Sequence, residues 1–116
     1  MTILRRVQVG GSVERMTLTI QPLSGTLGAE IFGADLLSGL SNAEFDEIHQ
    51  AFLDHKVIVL RGQNGLTPDQ QKDFARRFGT LNIHPYVKGM DGHPELLEII
   101  KEPDEKTNFG GGWHSD

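Results

Sequence analysis

Apolar and polar positions change period several times along the chain, and each change marks an element. Leu18 and Ile20 alternate with Thr17, Thr19 and Gln21, the period of two expected of a half-buried strand, and Pro22 ends it. Gly25, Gly28 and Gly33 punctuate a short apolar piece, Ala29-Glu30-Ile31-Phe32, which reads as a second strand. Ser41-Asn42-Ala43-Glu44 has the form of a capping box. Its hydroxyl can accept from the amide three residues on, while the glutamate reaches back to the cap amide. Behind it Phe45, Ile48 and Phe52 share one helical face, widened by Ala51 and Leu53. His55 closes that helix, and both His49 and His55 read as structural residues.

Val57-Ile58-Val59-Leu60 is a continuous β-branched run, short enough to be a buried strand, and it stops at Arg61-Gly62. Thr67-Pro68-Asp69-Gln70 starts a second helix with a cap, a proline at the first helical position, an acid in the first turn and a glutamine where the capping box needs it. Phe74, Ala75 and Phe78 form its buried face, and Gly79 is the expected stop. Leu96-Leu97-Glu98-Ile99-Ile100 reads as a further strand, after which Lys101 to Lys106 is polar and broken by proline. The order β-β-α-β-α-β predicts an α+β fold.

Composition narrows the function more than the fold. Eleven Lys and Arg against 16 Asp and Glu leave a net charge of −5, so a general nucleic-acid partner is excluded for want of surplus cations. With no cysteine, disulfides, thiolate metal sites and cysteine nucleophiles are excluded, and a cytoplasmic location fits. No apolar run approaches the roughly 18 residues of a membrane span, and no secretory signal opens the chain. Residues 1–15 read as a disordered extension before Met16, a second plausible start, leaving 16–116 as the folded part. A homo-oligomer is compatible with this composition.

The candidate chemistry is a His-x-acid pair, and the pattern occurs twice. His93-Pro94-Glu95 lies in a Gly-His-Pro turn, where proline disrupts extended pairing, and reads as a solvated turn. His114-Ser115-Asp116 differs in context. In an extended segment residues i and i+2 project from one face, roughly 7 Å apart. An imidazole nitrogen and a carboxylate oxygen can then converge on one ion at about 2 Å each. Gly110-Gly111-Gly112 removes side chains from the approach and permits sharp turns. On spacing alone, a surface pair near a chain end is the better explanation of the motif. The corresponding alternative is a small non-enzymatic α+β binding module with an incidental His-x-Asp.

Several segments in order carry a resemblance. They are Gly28-Ala29-Glu30-Ile31 with Gly33-Ala34-Asp35-Leu36, then His55-Lys56-Val57-Ile58-Val59-Leu60-Arg61, then Thr67-Pro68-Asp69-Gln70-Gln71 leading to Phe74-Ala75-Arg76-Arg77-Phe78-Gly79. Ile83-His84-Pro85 and Trp113-His114-Ser115-Asp116 follow. From residue 18 onward the chain resembles the N-terminal part of the taurine dioxygenase family, which includes 2,4-dichlorophenoxyacetate dioxygenase. These oxygenases depend on iron(II) and 2-oxoglutarate.

The resemblance implies a double-stranded β-helix, or jelly-roll, core of which this chain holds the N-terminal portion. It implies that His114 and Asp116 are two legs of a two-His, one-carboxylate triad on Fe(II), which leaves positions open for 2-oxoglutarate and O2. The third ligand and the arginine that pairs with the cosubstrate are expected downstream of Asp116. The chain therefore reads as truncated after its His-x-Asp motif and, by itself, as inactive. His84 reads equally as a turn residue fixed by Pro85 and, by resemblance, as a contact to the substrate's anionic group. Tyr86 lies one place from a substrate-contacting tyrosine of the family, and Gly110 occupies the position of a substrate-contacting asparagine. Those departures point away from taurine itself and toward another small organic acid.

Overall fold

The computed structural model describes residues 7–9, 12–14, 18–107 and 110–114. The chain divides into two compact units, Met1–Phe78 and Gly79–Asp116. At the start of the first, strands β1 (Val7–Val9) and β2 (Ser12–Glu14) pair antiparallel. The disorder expected over 1–15 otherwise falls on residues outside the described set.

A mixed three-stranded sheet, ordered β3-β4-β5, is the centre of this unit. Strand β3 (Thr19–Pro22) pairs antiparallel with β4 (Ala29–Phe32), with Ile20 opposite Ile31. Their loop closes on itself: the Leu23 amide donates to the Gly28 carbonyl at 2.9 Å, and the Ser24 hydroxyl donates to the Leu27 carbonyl at 2.6 Å. Gly28 has φ +88°, a conformation in which a Cβ would be strained. Strand β5 (Ile58–Val59) adds to β4 in parallel, Ala29 opposite Ile58. A parallel neighbour requires a crossover, and helix α1 (Asn42–His55) is that crossover.

Both predicted capping boxes are present. The Ser41 hydroxyl accepts from the Glu44 amide at 3.2 Å while Glu44 accepts from the Ser41 amide at 2.8 Å. At the start of α2 (Pro68–Arg76), Thr67 and Gln70 repeat the exchange at 3.2 and 2.9 Å. These bonds satisfy amides that have no partner inside a helix. Lys56, in the left-handed region at φ 69°, ends α1, and its amide donates to the Phe52 carbonyl at 2.8 Å.

Leu18, Ile20, Ala29, Ile31, Ile48 and Ala51 form the buried core, bordered by Ala34, Leu40, Ile58, Leu60, Phe74 and Phe78. Aromatic edges join the two helices: Phe45 meets Phe78 at 5.0 Å and Phe74 at 6.5 Å, and Phe74 meets Phe78 at 5.2 Å. The Arg77 guanidinium lies 4.2 Å above the Phe45 ring and donates to the Leu40 carbonyl and to Asn42 Oδ1. Gln63 fastens the segment after β5 to the one after β4, accepting from the Leu36 amide and donating to the Ala34 carbonyl.

Five sequence expectations need correction. The buried face of α1 runs through Phe45, Ile48 and Ala51, whereas Phe52 is 39% exposed and meets Phe78 by its ring edge. The strand expected over 57–60 contracts to Ile58–Val59 and is half-buried, because β5 lies at the sheet edge. Helix α2 closes without Gly79: the amides of Arg77 and Phe78 tighten onto the carbonyls of Phe74 and Ala75, so no left-handed residue is needed. Leu96–Ile100 is irregular, with Ile99 and Ile100 exposed. An apolar run becomes a strand only where a partner strand satisfies its backbone, and the described residues supply no ladder for it.

The fifth correction concerns His93-Pro94-Glu95. It is a turn, as expected, but only Pro94 is exposed, with His93 and Glu95 half-buried: His93 and Met90 form an isolated antiparallel bridge, and the Met90 amide donates to the Leu96 carbonyl at 2.8 Å. The turn also fixes Gly89, where a Cβ would come within 2.3 Å of the Pro94 carbonyl oxygen.

Candidate functional site

Both histidines singled out by the sequence are bonded to backbone in ways that determine where their protons sit. His114 is exposed, and its Nδ1 lies 2.8 Å from the Gly112 carbonyl oxygen. A carbonyl can only accept, so Nδ1 carries the proton of this bond and the lone pair of the neutral ring is on Nε2. That is the tautomer in which a carbonyl orients a metal-ligating imidazole. Gly110, at φ +68°, turns the chain just before it.

His84 shows the reverse arrangement. Its Nδ1 accepts from the amides of Tyr86 at 3.1 Å and Val87 at 3.0 Å. Amides can only donate, so here the lone pair is on Nδ1 and the proton on Nε2. The ring of Tyr86 stands edge-on to His84 at 6.2 Å and is 92% exposed. One short turn therefore presents a neutral N–H donor and a phenol side by side. These suit an anionic oxygen without adding a formal charge.

Asp116 lies outside the described residues, so the His114–Asp116 pair has no geometry to report. Among the described residues no group of three or more His, Asp or Glu could hold a metal. The donor chemistry of His114 nevertheless fits a divalent transition metal, since a neutral imidazole with its lone pair on Nε2 is a common ligand for such ions.

A cleft of about 330 Å³ lies in the first unit, between the Leu36–Leu40 segment and α2. Its polar walls serve the fold: Gln70 Nε2 donates to the Leu37 carbonyl, Arg77 is held as described, and Asp73 pairs with Arg76 at 2.9 Å. Beside it Asp35 makes a turn of its own. The Ser38 hydroxyl, with the Ser38 and Leu37 amides, holds its carboxyl below the ordinary 3.8.

Sequence reading missed the groups that set the two tautomers, the Gly112 carbonyl and the amides of Tyr86 and Val87. A signal existed for each. His84 precedes a proline and can act as an asparagine does in an Asx turn, accepting from amides two and three residues on. The flexible glycines before His114 allow a carbonyl to fold back onto its ring.

The sequence model of the Taurine catabolism dioxygenase TauD, TfdA family matches residues 19–116. The chain belongs to that family. An alkylsulfatase from Acinetobacter baylyi is 37% identical over 99 residues, covering 85% of this chain and 30% of the relative. An alpha-ketoglutarate-dependent sulfate ester dioxygenase from Pseudomonas putida is 36% identical over 101 residues, covering 87% of this chain and 33% of the relative. Among solved structures, a taurine dioxygenase from Burkholderia xenovorans superposes with a TM-score of 0.61 at 37% identity, over 66% of this chain and 28% of that one. This TauD/TfdA-family chain thus spans about a third of the length of the curated relatives it matches. None of its described helices is long and apolar enough to cross a membrane.

Proposed function

We propose that the whole protein carrying this chain is a cytoplasmic iron(II)- and 2-oxoglutarate-dependent dioxygenase that hydroxylates a small organic acid of the sulfonate or sulfate-ester class. The observation that carries this reading is the family match through residue 116. It brings the His114-Ser115-Asp116 motif into the matched segment. The names of the relatives from Acinetobacter and Pseudomonas support the sulfur oxyanion, and the His84–Tyr86 turn offers it two neutral donors.

In this reading residues 16–116 are the N-terminal part of a catalytic domain whose core is a jelly roll. His114, whose neutral ring has its lone pair on Nε2, and Asp116 would hold the metal, with the third ligand and the cosubstrate's arginine expected downstream. When bound, iron(II) with 2-oxoglutarate and O2 supplies the oxidising power for hydroxylation, with succinate and CO2 as co-products. The chain's own residues orient the reactants. The Gly112 carbonyl keeps the proton on Nδ1 of His114, and His84 Nε2–H with the Tyr86 hydroxyl receives the substrate's anionic oxygens.

Succinate release from 2-oxoglutarate by the whole protein, measured against alkyl sulfonates and alkyl sulfates, tests both parts. Activity is expected only with Fe(II) and O2. His114→Ala and Asp116→Ala should each lower it at least about 100-fold, more than outer-shell changes do. Full activity in either variant would remove that residue from the metal. Turnover of carboxylates but not of sulfur oxyanions would overturn the substrate class. The 116-residue chain alone is expected to release no succinate.

A further inference from the structure

We infer that the tautomer of His84 is locked by its own turn, and that protonation of its ring releases the 84–87 turn that carries Tyr86. The inference goes beyond the proposed oxygenase chemistry and stands on the turn alone. Two amide protons, from Tyr86 at 3.1 Å and Val87 at 3.0 Å, converge on one Nδ1 lone pair. A second proton on the ring has only that lone pair to occupy. It would place an N–H against two N–H donors, so both bonds are lost together.

Tyr86, whose phenol ring faces it edge-on, is the titratable neighbour. Lys88, the nearest charge along the chain, is paired with Asp91 at 2.7 Å. Pro85, between the histidine and its donors, has no amide of its own to substitute.

The coupling has a direction. In the neutral state the turn is closed, Nε2–H is the outward donor, and Tyr86 is held beside it. In the protonated state the imidazole gains charge and loses its grip on the turn, so the two donors no longer share one frame. Acidification would therefore strengthen the attraction of His84 for an anion while dispersing the pair that positions it.

The test is an NMR experiment on the whole protein carrying this chain, in its metal-free form and without substrate. Nitrogen-detected correlations of the His84 ring should show the neutral form protonated at Nε2. Hydrogen-exchange protection of the Tyr86 and Val87 amides, corrected for intrinsic exchange, should fall on the order of tenfold as the His84 ring signals titrate. His84→Asn, whose side-chain oxygen accepts at all pH values, should keep those amides protected throughout. His84→Ala should leave them unprotected throughout. A neutral ring protonated at Nδ1, or amide protection that ignores His84 titration, would overturn the inference. So would a pH-dependent loss that persists in His84→Asn. Any of these results leaves the assignment of His114 and Asp116 untouched, because that assignment is read from activity.

Discussion

Residues 18–78 and residues 79–114 belong to one chain but are held by different forces. In the first stretch a sheet, two capped helices and a shared apolar core satisfy backbone and side chains together. In the second the described residues contain one isolated bridge and a series of turns, and their largest apolar side chains are exposed. His84 organises one of those turns, and a backbone carbonyl orients His114. Under the proposed function the second stretch carries the candidate residues His84, Tyr86 and His114, while the core of the first supplies stability. The two kinds of organisation change over at Phe78–Gly79.

Paired truncations test the division most strongly. Ile48 is fully buried and Ile99 is 64% exposed. Ile48→Ala is expected to lower unfolding stability by about 2–5 kcal/mol, and Ile99→Ala by less than about 0.5 kcal/mol, both measured by denaturant titration. Equal losses would show that the second stretch carries a core of its own.

A middle-sized effect tests whether the turns are nevertheless specific. In Gly89→Ala the new methyl would meet the Pro94 backbone, which cannot move as a flexible side chain can. A loss of about 1–3 kcal/mol is expected, confined to the turn and visible as faster exchange at the Met90 and Leu96 amides. Unchanged exchange there would mean that the turn tolerates other backbone paths.

The smallest effect is a pH dependence within the first stretch. Because hydrogen bonds from Ser38 and Leu37 hold the Asp35 carboxyl below its ordinary 3.8, its contribution is fully present above that value. It is lost as pH falls through the lower folded value. Asp35→Asn should flatten that part of the acid limb of stability. An identical acid limb in the variant would show that the turn contributes nothing.

How far the sequence could be read follows the same division. The boxes at Ser41–Glu44 and Thr67–Gln70 and the strand Ala29–Phe32 were legible because their determinants lie within a few residues. Gln63 reaching Leu36 and Arg77 reaching Leu40 and Asn42 were not, because their partners are distant in sequence. Leu96–Ile100 has the composition of a strand but finds no partner among the described residues, and composition alone does not make a ladder. For the site, His84 and Tyr86 were legible as residue types in order. Their proton placement depends on the path of the backbone through the turn. Asp116 lies outside the described residues, so the pairing with His114 rests on sequence and family.

The parallel pairing of β4 with β5 also bears on the order in which the chain assembles. β3 and β4 are joined by a short loop and can zip as soon as both exist. β5 reaches the other edge of β4 only after the whole of α1 has been inserted between them, so its two-residue ladder closes a much longer loop. During synthesis from the N-terminus, that edge of β4 waits open while α1 emerges. The capping box at Ser41 favours the first turn of that helix from local signals, before β5 exists to pack against it.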